Sequence, residues 1–211
     1  MRPVICMITG SIPADAAAIR ALVDRIRGAA RAGVHLVQVR QRGFEARALT
    51  ALVEAALEAV RGTPARVVVN ERLDVALAAG AHGVHLRGDS VPGVRVRRVA
   101  PPPFLIGRSV HSAAEARRAA SGGGLDYLVC GTVFPTQSKP GAAGAGAAAL
   151  AETCAAVPLP VLAVGGITAD RLGDVARAGA AGFAAIGLFG GAGIDALGLA
   201  VATAVRAFDT P

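Results

Sequence analysis

The stretch PVLAVGGIT, residues 160–168, decides between two α/β folds. Its apolar run predicts a buried strand, and the pair Gly165 and Gly166 follows late in a chain of 211 residues. An open doubly wound sheet normally carries its glycine-rich phosphate turn after the first strand, where this chain has only residues 9–11, TGS. A (β/α)₈ barrel commonly binds phosphate after strands seven and eight. The late glycine pair therefore favours an α/β fold of the (β/α)₈ TIM barrel type.

Short apolar runs alternate with Ala-rich helical patterns along the chain. Strands are predicted at residues 4–8, 35–39, 66–69, 83–86, 104–106, 126–130, 160–164 and 183–187. Helical periodicity is clear at residues 15–32 and 46–60 and predicts a closing helix at 194–208, whereas the crossover after Leu86 looks poor in helix. Length and the lack of a composition break predict one barrel domain over residues 1–211.

Composition argues against several classes of protein. No window approaches the eighteen or so uninterrupted apolar residues of a membrane span, and the first apolar run is too short for a signal peptide, so we expect a cytoplasmic protein. The net charge is +7, but the arginines are dispersed and aromatic residues make up 3%, which argues against nucleic-acid binding. Three cysteines without CxxC spacing predict neither a disulfide framework nor a zinc site.

Polar residues follow the second, third and fifth predicted strands. Gln38 and Arg40 share one side of an extended strand, with Arg42 in the turn, and could form a forked anion receptor at the barrel mouth. A surface or helix-capping arginine is the alternative. Asn70 and Glu71 end strand three and could orient a substrate, hold magnesium or cap a helix.

Ser109 and His111 share a side after strand five, if the chain stays extended there. Histidine titrates near neutrality and can give or take a proton, so His111 is the best acid–base candidate. His85 is interpreted as structural because it lies within a strand. His35 is out of phase with Gln38 and Arg40, and His82 lies in an Ala/Gly turn.

Phosphate-binding character marks the ends of strands six, seven and eight. Thr136 and Ser138 are short donors beside Lys139, the chain's only lysine, whose ammonium is an adaptable point charge for phosphate oxygens. Backbone N–H groups at Gly165 and Gly166, and at Gly187 and Leu188, could approach phosphate without side-chain obstruction. Together these signals predict a site for a phosphorylated small molecule.

Six segments resemble the thiamin phosphate synthase / TenI superfamily in their order. They are residues 33–40, 69–77, 83–86, 106–112, 131–139 and 163–168. The resemblance implies a (β/α)₈ barrel, usually a homodimer, that acts on phosphorylated thiazole compounds.

Two features resemble the TenI branch: Arg-x-Arg at Arg40 and Arg42, and Gly-Arg-Ser-Val-His-Ser at residues 107–112. This resemblance implies a thiazole tautomerase, an isomerase that aromatises a carboxythiazole phosphate without metal or other cofactor. His111 would then move the proton, while Gln38, Arg40 and Asn70 orient the heterocycle. We expect this reaction.

Two other interpretations remain open. The first is thiamin phosphate synthase, which joins hydroxymethylpyrimidine pyrophosphate to thiazole phosphate with Mg²⁺. That branch holds the metal with two Asp residues, whereas this chain has Glu71 and Ser90 at those positions, with Asp89 one residue out of step. The second is a non-catalytic regulatory protein that binds thiazole or thiamin phosphate.

Overall fold

A computed structural model describes residues 3–136, 141, 143–190 and 194–209. Eight parallel strands form a closed barrel in chain order, which confirms the predicted (β/α)₈ fold. The strands are β1 (Val4–Ile8), β2 (Leu36–Val39), β3 (Arg66–Asn70), β4 (Gly83–Leu86), β5 (Leu105–Val110), β6 (Tyr127–Gly131), β7 (Val161–Val164) and β8 (Gly182–Ala185). The helices are α1 (Ala16–Arg31), α2 (Ala46–Val60), α3 (Leu73–Ala78), α4 (Gly93–Val99), α5 (Ala113–Ser121), α6 (Gly146–Ala155), α7 (Leu172–Arg177), α8 (Gly187–Gly190) and α9 (Ile194–Asp209).

Alternate strand residues pack on the two sides of the barrel wall. The outward residues form the main core against the helices. The inward apolar residues form a separate cluster inside the barrel, comprising Cys6, Ile8, Leu36, Val68, Tyr127, Val129, Leu162 and Ala184. Because strand side chains have a period of two, Gln38, Asn70 and Ser109 project to the same interior. The fold thus gathers polar groups at the carboxyl ends of the strands.

The largest differences from the sequence prediction are at β5 and α4, and β8 also ends at Ala185, two residues before its predicted end. Strand β5 was predicted at residues 104–106 but runs from Leu105 to Val110, because its polar end faces the barrel mouth and breaks the apolar run. The crossover after Leu86, predicted to be poor in helix, contains α4. That helix is short and exposed, and it buries only Gly93 and Val96, so its apolar periodicity is weak.

The cysteines are free, and Cys6 and Cys130 are buried. In the described part of the chain, no helix is long and apolar enough to cross a membrane.

Barrel closure depends on a glycine in β8. Gly182 pairs with Val4 of β1, and a Cβ at residue 182 would lie 2.0 Å from the Val4 carbonyl oxygen. We expect Gly182→Ala to lower the free energy of unfolding by about 1–3 kcal/mol through overpacking. The matched control is Gly43→Ala, where an added Cβ meets nothing within 4 Å. Urea denaturation of both variants measures this effect, and equal stabilities would contradict the expectation.

Candidate active site

A cavity of about 1530 Å³ opens at the carboxyl ends of the strands. Its lining includes these residues singled out in the sequence: Gln38, Arg40, Arg42, Asn70, Asp89, Ser109, His111, Thr136, Gly165, Gly166, Gly187 and Leu188. Ser138 and Lys139 lie outside the described residues. The cavity exceeds the roughly 300–1,000 Å³ typical of a single small-ligand site. It therefore has room for two substrates side by side.

The floor of the cavity contains an oriented amide pair. Gln38 is only 4% exposed, and its Nε2 donates to Asn70 Oδ1 over 2.8 Å. This bond leaves the Gln38 carbonyl oxygen as an acceptor and the Asn70 amide nitrogen as a donor. Such a pair can recognise the edge of a heterocycle that has both a donor and an acceptor.

Two arginines lie at the β2 side of the mouth. Arg40 is half-buried and Arg42 is exposed. The backbone of Arg40 is fixed because its N–H donates to Thr9 Oγ1 over 2.9 Å, and Gln41 Nε2 donates to Gly10 O over 2.7 Å. Burial, followed by the charge of Arg42, lowers the pKa of Arg40. Two close cations in a partly buried site favour binding of an anion.

A carboxylate after β3 contacts the loop after β4. Glu71 Oε1 accepts from the Ser90 hydroxyl and from the Arg87 N–H, each over 2.6 Å. Asp89 forms an ion pair with Arg87 at 2.7 Å. Glu71 has a φ of 65°, a left-handed conformation that is uncommon for a residue other than glycine and is often kept at functional sites.

Arg108 holds the loop after β4 in place. Its side chain is 8% exposed and donates to the carbonyl oxygens of Gly88, Ser90 and Val91. The guanidinium therefore binds main chain of this protein. This contact positions the loop that carries Ser90 and Asp89.

His85 is a cavity residue that the sequence interpretation assigned to structure. It is 2% exposed, and its Nε2 lies 2.9 Å from Ser109 Oγ. Its strand register places it beside Asn70, two positions beyond Gly83 on the inward face. The sequence could have indicated this, because His85 lies at a strand end and its side chain alternates to the same inward face as Gln38 and Asn70. By contrast, His35 and His82 accept the backbone N–H groups of Ile5 and Val67 and so connect neighbouring strands.

The buried imidazole of His85 makes stability depend on pH. Burial, aided by the charge of Arg108, lowers the pKa of His85 from 6.5 to about 4. Between these values the unfolded chain binds a proton that the folded chain does not, so stability falls as pH drops through this window and is constant above it. From pH 7.5 to 4.5, we expect the wild type to lose on the order of 2–3 kcal/mol more stability than His85→Gln. Urea unfolding at the two pH values measures the difference; equal losses would contradict it.

His111 lies where β5 leads into α5. Its Nδ1 donates to the Gly131 carbonyl, and its backbone N–H donates to Glu115 Oε2 over 2.8 Å. When the ring is neutral, this bond to a carbonyl places the proton on Nδ1 and leaves Nε2 as the acceptor for a ligand. The catalytic role of His111 stays a prediction.

The β7 turn packs closely against the β6 loop. A Cβ at Gly166 would lie 2.4 Å from the Pro135 carbonyl oxygen, and Gly166 has a φ of 62°. Arg171 donates to Gly166 O over 2.9 Å and lies over the Phe134 ring at 4.9 Å. The turn is thus held with its backbone at the cavity, in a form suited to anion binding.

Comparison with known proteins gives a consistent result. A family described as thiamine monophosphate synthase matches residues 5–189. A thiamine-phosphate synthase of Methanoculleus marisnigri is 46% identical over 175 residues, which covers 82% of each chain. That of Roseiflexus castenholzii is 42% identical over 172 residues, covering 81% of this chain and 75% of the relative. The structure of a thiamine phosphate pyrophosphorylase from Pyrococcus furiosus matches with a TM-score of 0.81 and 29% identity, covering 97% of this chain and 95% of that one.

These relatives contradict the expected thiazole tautomerase. The curated proteins at 36–46% identity are named for a synthase, a transferase, so the isomerase prediction is wrong. The two motifs interpreted as TenI-like do not decide between the two reactions. Arg108, part of one of them, donates to loop carbonyls and also lines the cavity, which is compatible with either reaction.

Proposed function

We propose that this chain, which belongs to the thiamine monophosphate synthase family, is a thiamin phosphate synthase. It would transfer the hydroxymethylpyrimidine group from its pyrophosphate ester to the ring nitrogen of thiazole phosphate, with release of pyrophosphate. One observation carries the proposal: a single cavity holds anion-binding groups in both halves of the barrel. In the closed eight-stranded order, β3 faces β7 across the barrel axis. Two phosphorylated substrates can therefore meet over one floor.

We assign the pyrophosphate to the half formed by β2 to β4. Arg40 and Arg42 supply charge there, and Gln38 with Asn70 would bind the donor–acceptor edge of the aminopyrimidine. The phosphate of the thiazole then falls to the other half, at Thr136 and the backbone of Gly165, Gly166, Gly187 and Leu188. Ser138 and Lys139 remain predicted ligands of this phosphate.

The loop after β4 and the end of β3 supply carboxylates for a magnesium ion: Asp89 and Ser90 line the cavity, and Glu71 contacts Ser90. Mg²⁺ in phosphate sites is held by one or two carboxylates, with substrate oxygens and water completing its shell. Glu71 and Asp89 are the carboxylates here, and the Ser90 hydroxyl lies 2.6 Å from Glu71. Among the described residues, no three His, Cys, Asp or Glu side chains form a cluster that could hold the ion alone. The substrate would therefore supply further oxygen ligands to the ion. When bound, the ion would neutralise charge on the leaving pyrophosphate.

The side chains of the cavity would stabilise the charge of the leaving group and position the two substrates. The bond from the pyrimidine methylene carbon to oxygen breaks with its electron pair leaving on pyrophosphate, and the thiazole nitrogen supplies the pair for the new bond. Arg40 and Arg42 stabilise the negative charge that develops on the leaving oxygen. The two oriented halves hold carbon and nitrogen within reach. No C–H bond breaks in this reaction, so His111 does not need to move a proton. Its Nε2 would accept a hydrogen bond from the substrate.

Pyrophosphate release tests the proposal. We expect release only when both substrates and Mg²⁺ are present, and its loss in excess chelator. Release from the pyrimidine ester alone would indicate hydrolysis and would contradict the transfer. Tight binding of thiazole phosphate without turnover would instead support the regulatory interpretation.

A further inference from the structure

Three buried or half-buried polar groups form a chain from the barrel interior to the cavity. Tyr127 OH lies 3.3 Å from His85 Nδ1, and His85 Nε2 lies 2.9 Å from Ser109 Oγ. Tyr127 and His85 are 6% and 2% exposed, while Ser109 lines the cavity. The residues belong to β6, β4 and β5, so the barrel brings them together from positions up to 42 residues apart.

The strand between them leaves space for the tyrosine ring. Gly107 pairs with Tyr127 across β5 and β6, and a Cβ at residue 107 would lie 2.1 Å from the ring carbon Cζ. Any other residue at 107 would displace the ring or its hydroxyl. The glycine thus lets Tyr127 lie beneath His85, with ring centroids 5.8 Å apart.

The number of donors and acceptors determines the direction of the Tyr127–His85 and His85–Ser109 hydrogen bonds. Among the described residues, the Tyr127 hydroxyl has only His85 as a hydrogen-bond partner. If His85 Nδ1 carried a proton, that proton would point at the Tyr127 oxygen, and the buried tyrosine hydrogen would have no acceptor. Burying such an unsatisfied donor is costly, so Tyr127 donates to Nδ1. The neutral imidazole then carries its proton on Nε2 and donates it to Ser109 Oγ.

The polarity of Ser109 follows from this order. Its oxygen accepts from His85, so its own O–H is the group that remains for a ligand in the cavity. We propose that Tyr127 is a positioning residue: it sets the His85 tautomer so that Ser109 donates a hydrogen bond to a phosphate-ester oxygen of the bound substrate. This inference rests on the proposed function for the identity of that substrate. The hydrogen bond strengthens as negative charge develops on the leaving oxygen.

The tautomer itself can be measured without substrate. In the ¹⁵N-labelled protein at pH 7.5, long-range ¹H–¹⁵N correlations separate protonated from unprotonated ring nitrogens, with His85 assigned by its loss in His85→Gln. We expect one tautomer with the proton on Nε2, and a mixture of tautomers in Tyr127→Phe. A wild-type His85 protonated on Nδ1 would overturn the proposal, whether or not the chain is a synthase.

A double-mutant cycle tests the route through Ser109. We expect Ser109→Ala to lower kcat about 100-fold and Tyr127→Phe about 10-fold, magnitudes that reflect one hydrogen bond to a developing charge and its partial loss. Because Tyr127 acts through Ser109, Tyr127→Phe should have no further effect on kcat in the Ser109→Ala background. Multiplying effects would show that Tyr127 acts merely through folding. If the wild type does not release pyrophosphate, the dissociation constant for inorganic pyrophosphate replaces kcat in the same cycle.

Discussion

Replacing Arg40 with alanine is expected to lower kcat/KM by about 10²–10³-fold, the loss typical of removing one group that stabilises transition-state charge. Arg40 is half-buried at the cavity, and burial and the neighbouring Arg42 charge lower its pKa. A bound pyrophosphate would offset the desolvation and the repulsion that lower this pKa. Steady-state kinetics with the pyrimidine ester varied and thiazole phosphate saturating measures the effect.

Arg98→Ala is the matched control, because it removes the same charge from an exposed position on α4. We expect its kcat/KM to stay within about twofold of the wild type at physiological salt, where distant surface charges are screened. Arg40→Lys keeps the charge but loses the planar fork, so it should fall between the wild type and Arg40→Ala. Equal losses of kcat/KM in Arg98→Ala and Arg40→Ala would show that Arg40 acts only through the overall charge of the protein.

Replacing Glu71 with glutamine is expected to weaken Mg²⁺ binding by about 100-fold or more, since loss of even an outer-shell partner costs 10–100-fold. Glutamine retains an oxygen that can accept from Ser90 and Arg87, so the loop contacts are preserved while the charge is lost. Calorimetric titration of Mg²⁺ in the presence of inorganic pyrophosphate measures the affinity without turnover.

Asp74→Asn serves as its control, because Asp74 is an exposed carboxylate on α3 that forms an ion pair with Arg72. Asp89→Asn separates the two candidate ligands: an effect as large as that of Glu71→Gln would show that both carboxylates hold the ion. Unchanged Mg²⁺ affinity in Glu71→Gln would contradict the metal assignment.

The barrel could be predicted from sequence because its signal is local. Each strand is a short apolar run, and the glycine pair at 165 and 166 lies where barrels bind phosphate. The polar residues at the strand ends also share one cavity, as period-two alternation implies for Gln38 and Asn70. Strand β5 was underestimated because its polar half looks like a loop unless the barrel mouth is known.

The rest depended on contacts that no local pattern shows. His85 was interpreted as structural because it lies within a strand, and its partners, Tyr127 and Ser109, could not be identified because they lie 42 and 24 residues away. Arg108 was interpreted as part of a tautomerase motif, whereas it binds carbonyls of the preceding loop. The assigned reaction was corrected by the relatives, because the motif alone does not separate a tautomerase from a synthase.

The most direct test of the proposed function is the identity of the product. The purified protein is incubated with hydroxymethylpyrimidine pyrophosphate, thiazole phosphate and Mg²⁺. The products are separated by chromatography, then identified and quantified by mass spectrometry. We expect thiamin phosphate and pyrophosphate in equal amounts, with formation abolished in chelator and lowered in Arg40→Ala. Absence of thiamin phosphate under these conditions, from a protein that is folded and binds both substrates, would contradict the assignment as a synthase.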